Sequence, residues 1–275
     1  MTATYLPADP IWCAGCGHFG VQTALSDALA DLNISKEETL LLAGIGCSGT
    51  IQNNLGTYGY HALHGRVIPT ATGAWRANPD LTVIAAGGDG DGYAIGMGHL
   101  IHAFRRNPSI TYLVMNNGVY GLTKGQDSPT RQGTPSLDAV LLGLSILETT
   151  FIARAFTSAS DQLRDLTAAA IRHAREGRGF AFLEILSPCV TYNDTYPAWD
   201  NEYLDLDIDD QHDPTNRTAA FTRVADLQTQ GRIPIGMIYR DPSTEPATFV
   251  NPSTSNIESA EHATIFHDIM DRYRI

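Results

Sequence analysis

Positive charge is what this sequence has least of. Its 18 Lys and Arg stand against 30 Asp and Glu, a net charge of −12. That deficit argues against a nucleic-acid partner, whose phosphates want a basic surface. Otherwise acidity signals only solubility. Long apolar runs are also missing. "TLLLAGIGC" (39–47) and "LTVIAAGG" (81–88) are short and broken by glycine, so neither spans a bilayer. The opening "MTATYLPADPIW" lacks the basic start and apolar centre of a secretory signal. No segment repeats. The expectation is a cytoplasmic protein with no membrane partner. Cysteine is scarce too, four in 275 residues. In a reducing compartment, that usage disfavours a disulfide framework and favours metal or cluster ligation.

What is present reads as an α/β protein. At 43% hydrophobic and 17% charged residues, the chain can bury one large core or two small ones. Short apolar runs stopped by glycine, as buried parallel strands are, fall at 39–44 and 81–88, and further strand-like runs fall at 109–117, 151–156 and 179–186. Helical spacing fills 18–33, 93–107, part of 136–148, and 160–176. The alternation predicts a mostly parallel sheet flanked by helices. After Pro188 the character changes. Residues 200–213 hold seven acids and no Lys or Arg, which predicts a solvated connector. A calcium loop there fails, because Asp210 and Asn216 stand where an EF-hand needs glycine and a bidentate acid. A helix near 215–229, a strand "IPIGMIYR" and a tail with one helix complete the prediction. The organisation expected is one α/β domain over 1–195, followed by an acidic connector and C-terminal extension over 196–275 that packs on that domain or on a partner.

Three motifs carry chemistry. "GIGCSG" (44–49) matches the dinucleotide fingerprint in its letters, but that motif needs an acid about 20 residues on. No Asp or Glu occurs between Glu38 and Asp80. A turn offering N–H groups to a diphosphate is what remains. "GGDGDGYAIG" and "MNNGVYGLTKGQ" each end a strand, and Asp89 precedes Asn117 by 28 residues. Successive strands at that spacing bring Asp89, Asn117 and the Val119 carbonyl together as hard oxygen donors suited to Mg²⁺. Two ordinary glycine turns are the plain alternative to the thiamine diphosphate (TPP) pattern that G-D-G followed by N-N makes. Last, Cys13, Cys16, Cys47 and Cys189 are separated by 2, 30 and 141 residues. Four thiolates suit an iron–sulfur cluster or structural zinc, though zinc ribbons show two close pairs.

Together "WCAGCG", "GIGCSG", "HGR" (64–66), "GDGDG", "HAFRRN", "NNGVYGLTKGQ", "SPT" (128–130) and the isolated Cys189 resemble the β subunit of the 2-oxoacid:ferredoxin oxidoreductases, over roughly residues 10–195. The resemblance implies that the four cysteines hold one 4Fe–4S cluster and that Asp89, Asn117 and Val119 hold Mg²⁺. Gly46, Cys47, Ser48, His64, Gly90 and Asp91 would line TPP, with Gly121 and Leu122 closing on it. Asp91 and Leu122 would border the reacting centre, and Lys124 would meet the 2-oxo acid or CoA as a point charge. The implied reaction is CoA-dependent oxidative decarboxylation of a 2-oxo acid, with electrons passed through the cluster to ferredoxin and the reverse carboxylation open to a strong reductant. 2-Oxoglutarate is the favoured substrate, pyruvate the alternative, and a zinc-stapled, non-redox subunit the rival. TPP also needs an activating glutamate from a facing domain, and no second strand–helix set follows residue 190. A separate α subunit in an (αβ)₂ assembly is therefore expected, with the tail after Asp213 helping to clasp it. Two features stand apart. His99 and His102, one turn apart beside Arg105 and Arg106, read as a helix face packed on another subunit. Trp75 replaces an expected lysine, with Arg76 the nearest cation, which puts substrate preference in doubt.

Overall fold

A computed structural model describes residues 9–133 and 136–245. Within them, α1 (His18–Asp31) precedes β1 (Thr39–Ala43), the edge strand β2 (Tyr58–His61), α2 (Val67–Ala77) and β3 (Thr82–Gly88). A single π-helical segment, Gly90–Ile95, leads into α3 (Met97–Arg106) and β4 (Thr111–Asn116). A small hairpin, β5 (Val119–Tyr120) and β6 (Gln126–Asp127), follows. Then come α4 (Ala139–Leu144), β7 (Phe151–Phe156), α5 (Ser160–Arg175) and β8 (Ala181–Leu186). The chain continues through α6 (Tyr196–Glu202), β9 (Tyr203–Asp205), α7 (Arg217–Thr229) and β10 (Ile233–Arg240).

Eight strands form one sheet in the order β2-β1-β3-β4-β8-β7-β10-β9. All neighbours are parallel except β10, which runs antiparallel to β7. Strands β4, β7 and β8 are buried at every position because helices cover both faces, and the two charges their mainly apolar runs carry, Arg154 in β7 and Glu184 in β8, pair with each other. On one face, α1 and α5 bury Leu25, Leu29, Leu163 and Ile171 against Leu41, Ile84 and Leu183. On the other, α3 buries Leu100, Ala103 and Phe104, the i, i+3, i+4 stripe of an amphipathic helix. Phe104 meets Phe180 and Phe182 edge-on at 5.3 and 5.2 Å. Truncating it to Ala would cost about 3–5 kcal/mol. Helix α3 stops at Asn107, in the left-handed region at φ +48°. There the Asn107 Oδ1 accepts the Phe180 N–H (2.7 Å) and the Thr150 hydroxyl (2.9 Å), pinning the helix to the amino ends of β8 and β7.

The strand order reverses beside β1: β2 lies on one side of it, β3 and β4 on the other. Ligands of open α/β sheets bind outside the carboxyl ends at such a reversal. Two features depart from the sequence expectation. Strand β2 was not legible, since all four of its residues are exposed and carry no apolar signal. The acidic stretch 200–213 is not a solvated connector but contributes α6, β9 and a 3₁₀ turn to the fold. Its aspartates are engaged: Gln162 donates to Asp205 and Asp207, and Arg223 grips Asp209 at 2.6 and 2.8 Å. The tail helix expected near the C-terminus lies outside the described residues, as do residues 1–8. Among the described residues, no helix is long and apolar enough to cross a membrane.

Candidate functional site

Beyond the carboxyl ends of β1, β3 and β4 lies a cavity of about 160 Å³. Gly46, Cys47, Ser48, His64, Asp89, Gly90, Asp91, Asn117, Val119, Gly121 and Leu122 all line it. The glycines shape it by what they leave out. A Cβ on Gly44 would stand 2.1 Å from the Asp91 carboxylate, and one on Gly90 would enter the Tyr120 ring. Gly46, at φ +107°, has nothing within 4 Å of its missing Cβ, so its backbone borders open space.

Two acids after β3 are almost wholly buried, and they differ. The Asp91 Oδ1 accepts the N–H groups of Ile45 (3.1 Å) and Gly65 (2.8 Å) and faces His64 Nδ1 at 2.6 Å. It joins three loops and orients an imidazole that is itself half-exposed. Its Oδ2, packed against Gly44, has no hydrogen-bond partner. Asp89 is 1% exposed, and burial pushes its pKa up against the pull of its hydrogen bonds. The Ser128 hydroxyl and the Thr130 hydroxyl (2.5 Å) donate to its Oδ2, while Oδ1 receives only the Asn117 N–H at a long 3.4 Å. The Asn117 Oδ1 accepts the Val119 N–H at 3.0 Å, an Asx turn that holds the loop. Asp89, Asn117 and the Val119 carbonyl form a hard, oxygen-only donor set bordering one cavity. These residues fit Mg²⁺, which takes carboxylate and carbonyl oxygens together with those of a phosphate.

The four cysteines come together through contacts that local sequence does not announce. Cys13 and Cys16 form a tight turn, with the Cys16 N–H on the Cys13 carbonyl at 3.0 Å. The Trp12 indole N–H donates to the Cys47 carbonyl (2.8 Å), and the Gly17 N–H donates to the Pro188 carbonyl (3.1 Å). A Cβ on Gly17 would stand 2.7 Å from the Ser187 backbone. His18, buried to the point that its pKa falls to about 4, meets the Ser187 hydroxyl at 2.7 Å. The sulfurs of Cys47 and Cys189 flank Gly121, 3.6 and 3.7 Å from where its Cβ would be. Burial first, and the other three sulfurs after it, raise the Cys16 thiol to about 11, and burial raises Cys47 as well. A raised thiol pKa favours the protonated form of Cys16 and Cys47, which a bound metal would reverse. Among the described residues, no three His, Cys, Asp or Glu side chains enclose a single ion. Four thiol donors suit an iron–sulfur cluster or tetrahedral zinc.

Cys47 lines the cavity and belongs to the cysteine group, so the two sites share a wall. Asn193, which sequence reasoning missed, links them again: its side chain donates to the Asn117 carbonyl at 2.7 Å, and its N–H to the Cys189 carbonyl at 2.9 Å. Ser128 and Thr130 were legible only as the letters "SPT". Other expectations fall elsewhere. Lys124 is exposed in the β5–β6 turn at φ +76°, outside the cavity lining. Trp75 lies near the amino ends of the strands, lining a separate cleft with Thr82, Thr111 and Arg178. It is therefore on the far side of the sheet from the cavity and cannot set substrate preference by contact. His99 accepts a hydrogen bond from Arg66 (2.5 Å) on the α3 surface, and with His102 borders a shallow groove against α2.

A doubly wound sheet with this constellation at its strand reversal defines a thiamine-diphosphate-binding domain. Residues 44–185 match the family "Thiamine pyrophosphate enzyme, C-terminal TPP binding domain". Residues 189–251 match the family of the C-terminal region of the pyruvate ferredoxin oxidoreductase beta chain. The chain is 42% identical to the β subunit of 2-oxoacid:ferredoxin oxidoreductase 1 from Aeropyrum pernix, across 84% of this chain and 78% of that one. It is also 42% identical to the 2-oxoglutarate oxidoreductase protein KorB of Mycobacterium tuberculosis, across 66% of this chain and 51% of that one. A solved 2-oxoglutarate:ferredoxin oxidoreductase from Magnetococcus marinus, with 2-oxoglutarate, coenzyme A and succinyl-CoA bound, matches at TM-score 0.79 and 34% identity, covering 97% of this chain and 89% of that one. The chain belongs to the β subunits of the 2-oxoacid:ferredoxin oxidoreductases.

Proposed function

We propose that this β subunit acts on 2-oxoglutarate, converting it with CoA to the acyl-CoA and CO₂ and delivering electrons to ferredoxin. Its similarity to KorB and to a structure with 2-oxoglutarate and CoA bound supports that substrate over pyruvate. The observation that carries the reading is the shared wall: Cys47 belongs both to the four-thiol group and to the cavity of Asp89, Asn117 and Val119. Cys13, Cys16, Cys47 and Cys189 hold one 4Fe–4S cluster. Asp89, Asn117 and the Val119 carbonyl hold Mg²⁺ on the diphosphate of TPP, beside the open backbone of Gly46. When bound, TPP supplies the electron sink for decarboxylation and the cluster supplies single-electron transfer. His64, held by Asp91, presents its outer nitrogen as a hydrogen-bond partner in the cavity. Lys124 offers a point charge to the carboxylate of the 2-oxo acid or to CoA.

The site is completed by a partner. A cavity of about 160 Å³ is smaller than the roughly 300–1,000 Å³ of small-molecule sites, so this chain alone encloses only part of a ligand. Leu63, Ile95 and Leu122 are 77%, 53% and 58% exposed. Ile95 packs over Gly65, beside His64, and Leu122 lines the cavity. Apolar side chains on the rim of a polar site are suited to being covered by a partner. The α subunit, in an (αβ)₂ assembly, supplies the activating glutamate, and residues 196–275 form the extension that helps hold it. The test is anaerobic, CoA-dependent reduction of a viologen dye by the co-expressed complex and by this chain alone. The expected result is turnover of 2-oxoglutarate by the complex only. Preference for pyruvate would move the substrate, and turnover by the isolated chain would remove the partner's role.

A further inference from the structure

We propose that Ser128 and Thr130 are positioning residues for Asp89, with Asn116, oriented by Glu184, packed beside Thr130. The inference rests on reading Asp89 as a magnesium ligand. The two oxygens of Asp89 are unequal. Oδ2 takes two hydroxyl donors, Ser128 and Thr130, while Oδ1 has one long contact to the Asn117 N–H. Saturating one oxygen leaves the other, on a carboxylate that lines the cavity, as the one a cation takes.

The support behind Thr130 is directional. Glu184 is buried and as a carboxylate only accepts, so the Asn116 amide must turn its Nδ2 toward it (3.2 Å). That places the Asn116 Oδ1 against the Thr130 hydroxyl (2.8 Å) and the Gly118 N–H (3.2 Å). The hydroxyl has one proton for which Asn116 Oδ1 and Asp89 compete, and its shorter contact is to Asp89. Glu184 is held in turn by the Tyr93 hydroxyl (2.8 Å) and Arg154 Nε (2.5 Å). Arg154 also reaches Asp138 (2.9 Å), beyond the far end of the loop that carries Ser128 and Thr130. Burying the Arg154 and Glu184 charges is costly, and well-packed apolar side chains of equal volume would serve the fold as well. A chain of buried polar groups ending on a metal ligand instead suits fixing that ligand's orientation.

The experiment titrates Mg²⁺ at fixed TPP into the purified complex stripped of cofactor, following TPP binding by calorimetry. Thr130→Val keeps the shape and removes the hydroxyl; Thr130→Ser restores it; Ser128→Ala removes the other donor. Roughly tenfold more Mg²⁺ should be needed for half-saturation in T130V and S128A. T130S should titrate like the wild type, and all three should melt like the wild type without cofactor. Unchanged titrations in T130V and S128A would overturn the inference, and so would T130S binding as weakly as T130V. Should T130V fail to fold, S128A decides alone. An Asp89→Asn variant that titrates like the wild type would overturn the magnesium reading beneath it.

Discussion

The two ends of the sheet make opposite uses of space. At the amino ends, a cleft of about 780 Å³ runs past Trp75, Thr82, Thr111, Arg175 and Arg178. At the carboxyl ends, the cavity is only about 160 Å³. Yet the larger space is bordered by charges already matched to neighbours, Arg175 with Glu38 and Arg178 with Glu176. The smaller one gathers two buried carboxylates, one with an oxygen left unpartnered, a half-exposed imidazole and a glycine with nothing beside it. Volume follows from where helices fail to cover a sheet. Chemistry follows from polar groups held in place without being satisfied.

That contrast can be broken at either end. The largest effect should come from Asp89→Ala, which removes the charged ligand of a hard cation. Mg²⁺-dependent TPP binding should fall by about a hundredfold or more, beyond the 10–100-fold typical of groups that only support a ligand. Calorimetry checks it, and an unchanged affinity would dissolve the functional half of the comparison. Lys124→Ala should lower kcat/KM for the 2-oxo acid or for CoA by about tenfold, the value of one charge-assisted hydrogen bond, with TPP content unchanged. Steady-state kinetics for both substrates checks that.

At the amino end the expected currency is stability. His173, beside Thr150 at 3.0 Å, is buried and its pKa is pushed down to about 4 by desolvation. Below pH 6.5 an unfolded chain takes up a proton that the native His173 refuses. Stability should therefore fall as pH drops from about 6.5 to about 4, by at most about 3 kcal/mol. His173→Leu should shrink the stability lost between pH 7 and pH 5 in denaturant melts, leaving the share due to His18, whose pKa is also about 4. The smallest effect belongs to Trp75→Ala, which should leave kcat/KM for every 2-oxo acid within about twofold, since indistinguishable rates are what a residue at the wrong end of the sheet implies.

The strands that place the site were legible because β3, β4, β7 and β8 are mainly apolar, Arg154 and Glu184 apart, and end at glycine or at a polar residue. Asp89 and Asn117 could be paired from sequence because each follows one of two adjacent strands. The assembly of the cysteines could not be read in the same way. It depends on Trp12 reaching Cys47, Gly17 reaching Pro188, and Asn193 reaching Asn117, contacts spanning tens of residues or more with no periodic signature. Trp75 was misjudged for a related reason. Matched by position in the string, it fell near the substrate, but α2 starts close to His64 and carries Trp75 down the sheet, about 1.5 Å per residue. The acidic stretch carries exposed acids, as its charges suggested, but its structure was not legible because Gln162 on α5 and Arg223 on α7 tie down Asp205, Asp207 and Asp209.

The proposed function turns on one wall, at Cys47, serving both a 4Fe–4S cluster and the TPP cavity. Its most direct test is the visible spectrum with iron and sulfide analysis of the anaerobically purified complex, compared with the same complex carrying Cys47→Ser. The wild type should be brown, and the variant should lose about four irons and about four sulfides per β subunit. Undiminished iron in the variant, or one zinc per chain in a colourless wild type, would contradict the account.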